Sequence, residues 1–516
     1  MNPLIELKTT RLLLIAFVLA CLALSPRAQA LLPPPAPDGG YPGGNTAEGD
    51  NALHDLTIGL NNTAVGASAL TNDTTGSFNV AVGGLALGSN TTGQQNMAIG
   101  AEALASNTTG NFNMAIGFRA LFLNTGNRNS AVGAAALRNN AGASDNTAIG
   151  STALRENTTG TENTATGASA LQNNSTGAAN TANGAFALFS NTEGSFNTAI
   201  GDSALQRNTT GHDNAANGNG ALFSNITGIE NTAIGSAALS SNTTGNLNTA
   251  SGAFALFSNI TGGFNTANGV EALLNNTEGN NNTANGVDAL SSNTTGSFNT
   301  AVGAGTLLSN TTGMNNTANG VHALIFNDFG SSNTATGADA LRNDTSGNFN
   351  TANGSQALFF NNTGNNNTAN GVAALSSNTT GNANTALGAG AGNGVTTADS
   401  VICIGANVNG ANVSNTCFIG NISGVGVIGV PVVVNANGQL GVAPTGSPLS
   451  ANELLKQQRV VQELKATTER QAAVIALQEG QIKALTAGLK QQADQIQRVS
   501  AQLETSKPAP QVVNNP

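Results

Sequence analysis

Residues able to do chemistry are few in this chain and lie far apart. Three histidines, His54, His212 and His322, and three cysteines, Cys21, Cys403 and Cys417, are spread over 516 residues. A nucleophilic site needs Ser or Cys within reach of a base that a third group orients, and a zinc site announces itself by closely spaced Cys or His pairs. Neither arrangement can be argued from these positions, so the histidines read as solvated side chains. Asp202, Asp288 and Asp339 follow repeated glycines, yet the Asp-rich nonapeptide that wraps calcium in other β-rolls is missing. The many Gly-rich stretches lack both the strand, loop and helix context and the lysine of a phosphate cradle, and they read as turns. Recurring N-T-T triplets match the N-glycosylation sequon, but the same residues are good turn formers, and the turn reading is preferred. The sequence therefore offers no catalytic residue, cofactor site or metal site, binding residues are not identifiable, and an enzyme is the least expected class.

What positions these residues is a repeat. The unit N-T-A-x-G-x-x-A-L-x-x-N-T-T-G-x-x returns every 17 residues, with its first glycine at Gly66, Gly83, Gly100 and Gly117, at Gly133 after one 16-residue step, and then regularly from Gly150 to Gly388, giving 20 rungs. A short fixed period marks a solenoid, in which no unit buries its own apolar face and stacking makes a continuous core. The expected fold is an all-β solenoid, a parallel β-roll, followed by an α-helical coiled coil. At the usual strand spacing of about 4.8 Å, such a stack would extend on the order of 95 Å.

Composition narrows the rest. Only 9% of residues are charged and the net charge is −10; without a basic stripe, the footprint of a nucleic-acid binder is absent. Taking the closing glycine as position zero, Ala stands two residues before it in every rung from Ala64 to Ala386, which marks a sterically tight slot facing the interior or a neighbouring chain. Leu stands four after it from Leu70 to Leu375, preceded by Ala in all cases but Thr306. The residue just before glycine is apolar in some rungs (Val65, Val82, Ile99, Ile116) and Asn in others (Asn183, Asn217, Asn268, Asn285), which leaves open which strand face is buried. Stacked Asn side chains are expected to hydrogen-bond from rung to rung. Position five takes Phe122, Phe189, Phe223, Phe257 and Phe359 but also Arg138, Arg155, Arg342, Gln206 and Ser240. A slot that accepts both Phe and Arg is not an obligate core position; its Phe side chains either pack on flanking turns or offer small apolar patches to a ligand.

The flanks read differently. Residues 1–30 look like an export signal, with Lys8 and Arg11, an apolar run from Leu12 to Leu24 too short to span a bilayer, and a small-x-small site at Ala28-Gln29-Ala30. Val18-Leu19-Ala20-Cys21 also resembles a lipobox, which would make Cys21 a lipid anchor. Residues 31–57 are Pro- and Gly-rich and read as a linker, 58–400 as the roll, 401–448 as a β-rich cap, 449–507 as a stalk and 508–516 as a disordered tail. In the stalk, Leu454, Val461, Thr468, Ile475, Ile482, Leu489, Ile496 and Leu503 recur every seven residues, with Leu464, Leu485 and Val499 in the matching slots between Gln457, Gln471, Gln478 and Gln492. So narrow a seam calls for another chain and implies a homo-oligomer, the alternative being an amphipathic helix folded back onto its own roll. In the cap, Cys403 stands two residues before Gly405 and Cys417 three before Gly420. Aligned strands would turn the two thiols to opposite faces, so no intrachain disulfide is expected.

Units such as Asn79-Val80-Ala81-Val82-Gly83 and Asn96-Met97-Ala98-Ile99-Gly100 resemble the N-x-A-I-G repeats in the heads of trimeric autotransporter adhesins, over roughly residues 58–420. The resemblance implies a left-handed parallel β-roll, a homotrimer, a secreted or cell-surface location and a host or matrix surface ligand, although these rungs are longer than the family's usual ones. The stretch NANGQLGV before a Gln-rich helix is similar to fibre-like proteins that carry an endosialidase-type chaperone. No such module fits between Gly441 and Leu454, and Pro508 to Pro516 shows no pattern of a membrane anchor. The expected role is adhesive or structural, with a passive spacer and an ice-binding surface as the alternatives.

Overall fold

The structure, a computed structural model, describes residues 40–420, 432–434, 440–442 and 451–505. The export signal with Cys21, most of the Pro-rich lead-in, much of the cap beyond 420 and the tail 508–516 lie outside the described residues. The chain divides into two compact units, Met1–Ser423 and Gly424–Pro516.

The first unit is a parallel β-solenoid of about 22 turns with a 17-residue repeat. A short hairpin, β1 (Gly40–Tyr41) against β2 (Asn45–Glu48), opens it. From β2 each strand pairs in parallel with the next, through β3 (Thr63–Val65) and on to β22 (Thr385–Leu387), β23 (Ile402–Ile404) and β24 (Cys417–Ile419). Register is uniform: Thr266, Ala267 and Asn268 lie opposite Thr283, Ala284 and Asn285. At about 4.8 Å per strand the stack from β2 to β24 extends about 105 Å. Two expected boundaries move. The segment read as a linker holds β1 and β2, because Asn45-Thr46-Ala47-Glu48-Gly49 is itself a repeat unit, and the segment read as a cap continues the same sheet through β23 and β24.

The inward face is now fixed. In each strand from β3 to β22 the middle Ala is buried and its two neighbours point outward, as alternation requires. Ala and Leu at positions three and four line the opposite wall, so Ala238 and Leu239 share the core with Ala233. That Leu sits in the left-handed region, with φ 52 at Leu239 and similar values in the other rungs. Left-handed backbone costs a non-glycine residue about 1–2 kcal/mol, while burying a Leu side chain gains about 1.5–3 kcal/mol, so burial outweighs strain. Turn amides bond upward as well: Leu239 N–H donates to Ala255 O at 3.0 Å. Backbone groups thus find partners both in the adjacent rung and within their own turn, where Ala238 N–H donates to Gly235 O and Asn242 N–H to Leu239 O.

The ends exchange polar interior residues for apolar ones. Leu56 fills the slot that Asn holds in later rungs, Val395 and Val401 do the same at the far end, and Cys403 there takes the place of the strand Ala, all buried. Tyr41, Val408 and Phe418 pack partly over this core. Cys403 lies opposite Phe418 and Cys417 opposite Ile402, and both thiols are free, one buried and one exposed, as the register argument expects.

Because Ala233 is packed between Ala216 and Ala250, Ala233→Leu is expected to lower the thermal unfolding midpoint, overpacking costing about 1–3 kcal/mol. Ser240→Leu, on the half-buried outer position, should leave it nearly unchanged. Equal shifts of the two melting curves would contradict the assigned core.

In the second unit, β25 (Val432–Val434) and β26 (Leu440–Val442) form an antiparallel pair. A single helix, α1, spans Ala451–Thr505. Among the described residues no helix is long and apolar enough to cross a membrane.

Candidate functional site

The residues with chemical potential stay apart. His54 and His212 each lie beside the next residue's carboxylate, Asp55 at 2.8 Å and Asp213 at 2.7 Å, on the surface. His322 is 3.8 Å from Asp339, which also meets Arg342 at 3.5 Å. Asp202 accepts from Ser203 Oγ at 3.1 Å on its own rung, and Asp288 lies rungs away from both Asp202 and Asp339. Among the described residues no group of three or more His, Cys, Asp or Glu could hold a metal ion.

Position five behaves as a packing position. Its Phe side chains are half-buried, and Phe189 and Phe257 meet Phe186 and Phe254 of their own turns with ring centroids 5.8 Å apart. Arg207 lies over Phe223 at 5.0 Å and Arg342 over Phe359 at 5.5 Å. Arg119 lies over Phe118 at 4.9 Å and also bonds Glu102 one rung earlier, Nε to Oε2 at 2.7 Å. That hydrogen bond holds the Glu102 carboxyl below its usual range. Beside this cluster runs an open groove of about 480 Å³, lined by Ser68, Thr71, Leu85, Glu102 and Phe122. A second, of about 590 Å³, is lined by Ser309, Phe326, Asp328, Phe329 and Thr345. A further aromatic column emerges only in three dimensions. Phe78, Phe112, Phe196, Phe264, Phe298 and Phe349 stand twelve residues after the closing glycine, all exposed and all at positive φ. Their variable neighbours in the same column (Gln95, Glu162, Asn281) hid it from sequence reading.

The outer strand face changes in character along the roll, with exposed Ile200, Ile234 and Val302 set among its polar middle rungs. Near its start it is apolar, with Val80, Val82, Met97 and Ile99 at or near the surface. Through the middle it becomes a column of exposed Thr (Thr249, Thr266, Thr283) beside Ser251, Asn268 and Asn285. It ends apolar again, at Leu387, Ile402, Ile404 and Ile419.

Inside, two columns of buried Asn run the length of the roll. In one, Asn265 Oδ1 accepts from the Asn282 N–H at 3.0 Å while Asn282 Nδ2 donates to Gly296 O at 2.8 Å. In the other, Asn242 Nδ2 donates to Asn225 Oδ1 at 2.8 Å and to Gly245 O at 3.0 Å, a pattern that most rungs repeat. The second column holds the Asn of the N-T-T triplets. Asn90, Asn242 and Asn293 are wholly buried, so in the folded roll their amides are hydrogen-bond donors, out of reach of a glycosyl donor. The 16-residue step falls at the corner Asn124-Thr125-Gly126, one Thr short, and there the link from Asn124 Nδ2 to Asn107 Oδ1 lengthens to 3.4 Å. Asp replaces Asn in this column at Asp73 and Asp344, where burial pushes each carboxyl up to about 7.

α1 presents the remaining surface. Val461, Leu464, Ile475, Ile482, Leu485, Leu489, Ile496 and Val499 are all exposed, so the heptad seam lies open to solvent.

The chain matches no known protein-family model, no curated protein and no solved structure.

Proposed function

We propose that this chain is an exported, non-catalytic fibrous repeat protein that oligomerises through α1 and presents its roll as an adhesive or structural rod at a cell surface. The observation that carries the reading is the open seam of α1: Ile482 is 62% and Leu489 64% exposed. An eight-position heptad stripe of this kind is stable in water when a second or third copy covers it. The resemblance of the rungs to trimeric autotransporter adhesin heads favours a trimer, and with it a host or matrix ligand. The leader, rather than a spanning helix, would provide export, with Cys21 as the alternative point of attachment.

Removal of residues 451–507 is expected to lower the mass in solution from oligomer to monomer. An unchanged oligomer would place assembly in the roll, and a monomeric full-length chain would end the proposal. Saturable binding of the full chain to matrix-coated surfaces separates an adhesin from a passive spacer, which predicts none. The regular exposed Thr column favours ice as a second ligand, because a repeated array of hydroxyl and methyl groups can order water; thermal hysteresis of the purified chain decides it.

A further inference from the structure

The Asn column that begins at Asp73 is bonded at every step to Asn378 except one. Asn310 Nδ2 reaches Asn293 Oδ1 at 2.8 Å, and Asn327 Nδ2 reaches Asn310 Oδ1 at 2.8 Å. Beyond the gap, Asn361 Nδ2 reaches Asp344 Oδ1 at 2.8 Å and Asn378 Nδ2 reaches Asn361 Oδ1 at 2.7 Å. Between Asn327 and Asp344 there is no donor. Asn327 Oδ1 and Asp344 Oδ2 are both buried without a hydrogen-bond partner. Turning the Asn327 amide over would not mend the gap, because its nitrogen already serves Asn310 Oδ1 and Gly330 O at 2.9 Å.

Asp344 otherwise copies an Asn. Its Oδ1 takes the carbonyl role, accepting from Asn361 Nδ2 and from the Gly347 N–H at 3.1 Å. Oδ2 therefore stands where the other rungs carry an amide nitrogen. A carboxylic acid is nearly the same shape as a carboxamide, and its O–H supplies the donor that the gap lacks. An ionised carboxylate would instead bury a charge against another acceptor, which is far more costly than burying the neutral acid. The second bond an amide would make here is not left wanting, since Gly347 O already accepts from Asn333 Nδ2 at 2.7 Å.

We propose that Asp344 is a buried proton-binding site whose Oδ2–H donates to Asn327 Oδ1, so that the column is continuous only while the proton is held. No other charge answers for the gap. On the same rung Asp339 and Arg342 pair with each other, and His322 of the preceding rung faces Asp339. Asp328 accepts from Thr311 Oγ1, and residues 355–371, the rung that follows, contain no charged side chain. The roll thus carries a pH-sensitive joint within the column, whose other buried carboxyl, Asp73, stands at its first position. Burial raises the Asp344 carboxyl from 3.8 to about 7. Between those values the folded rung holds a proton that the unfolded chain has released. Its contribution to stability is complete below pH 3.8, falls as pH rises and is gone above about 7. From pH 4 to pH 8 the local folding constant should drop by about five-hundredfold.

The test uses the full chain carrying Asp73→Asn, which removes the other buried carboxyl, with and without Asp344→Asn, the residue that neighbouring rungs use. At pH 6 exposed carboxyls are ionised, so an infrared band of a protonated carboxyl should remain in the first protein and vanish in the second. Hydrogen exchange over residues 323–347, corrected for its intrinsic pH dependence, should quicken from pH 4 to pH 8 in the first and stay level in the second. Absence of the band at pH 6 overturns the proposal even if Asp344→Asn does not fold. So does exchange that quickens equally in both proteins, or that slows in the first protein when calcium or sodium is added, which would put a cation in the gap.

Discussion

Gly235→Ala is expected to break the stack at its rung. Gly235 has φ +132, a region closed to side chains, and a Cβ there would lie 2.5 Å from Gly252 O and 2.6 Å from Gly252 C. Both are backbone atoms of the next rung, pinned by their own ladder, and cannot swing away as a flexible side chain would. Backbone strain and the clash together put the cost at the upper end for one substitution, roughly 4–5 kcal/mol. In a nearest-neighbour stack the damage reaches both adjoining interfaces. Limited proteolysis of Gly235→Ala should show new cuts near this rung, with circular dichroism losing part of its strand signal. The helix supplies the contrast: a Cβ on Gly480 meets nothing within 4 Å, and Gly480→Ala should stabilise α1 by about 1 kcal/mol. A Gly235→Ala protein as protease-resistant as the parent would mean that the closing glycine is a relic of duplication rather than a steric requirement.

How much of this was legible follows from what each residue type reveals. The period, the parallel stacking and the tight Ala slot were readable because Ala never varies there, and only a close approach of backbones explains that. The buried face is not legible beyond that, since Val65 and Asn183 share one column and carry opposite messages. The structure resolves this by placing that column outside, where identity is free to drift. The Asn residues were read as turn formers, which they are, but their burial was hidden by the ordinary expectation that Asn faces water. The available signal was constancy: the columns at Asn231, Asn248 and Asn265 and at Asn225, Asn242 and Asn259 hold almost throughout, whereas exposed polar columns scatter. They also answer the shortage of core that Ala and one Leu per rung imply, because hydrogen-bonded amides fill the space that larger apolar side chains would need. The first rung is masked for a compositional reason, Pro and Gly around residue 40 outweighing the motif Asn45 to Gly49. On the helix the heptads were plain, but a seam needs its partner, and a single chain displays only the open stripe.

The Asn column should therefore matter as much as the aliphatic one, and Asn242→Leu measures it. Asn242 gives two hydrogen bonds, to Asn225 Oδ1 and Gly245 O, and accepts one from Asn259 Nδ2 at 2.8 Å. Leu is similar in volume but supplies none of them, so Asn225 Oδ1 loses its donor and Asn259 Nδ2 one of its two acceptors, at fully buried positions. Leaving a buried group unpaired costs about 1–3 kcal/mol, and two such losses put Asn242→Leu at roughly 2–6 kcal/mol, against a gain of about 1–2 kcal/mol from the extra apolar burial. Thr249→Val, on the exposed face, changes polarity without unpairing a buried atom and should stay within about 0.5 kcal/mol. Long arrays need not unfold in one step, so the comparison is best made by hydrogen exchange at the Leu239 and Leu256 amides, whose protection should fall in Asn242→Leu and hold in Thr249→Val. Unchanged protection in Asn242→Leu would show that the column adds nothing beyond shaping its turns, and stability would then rest on Ala and Leu packing and the backbone ladder alone.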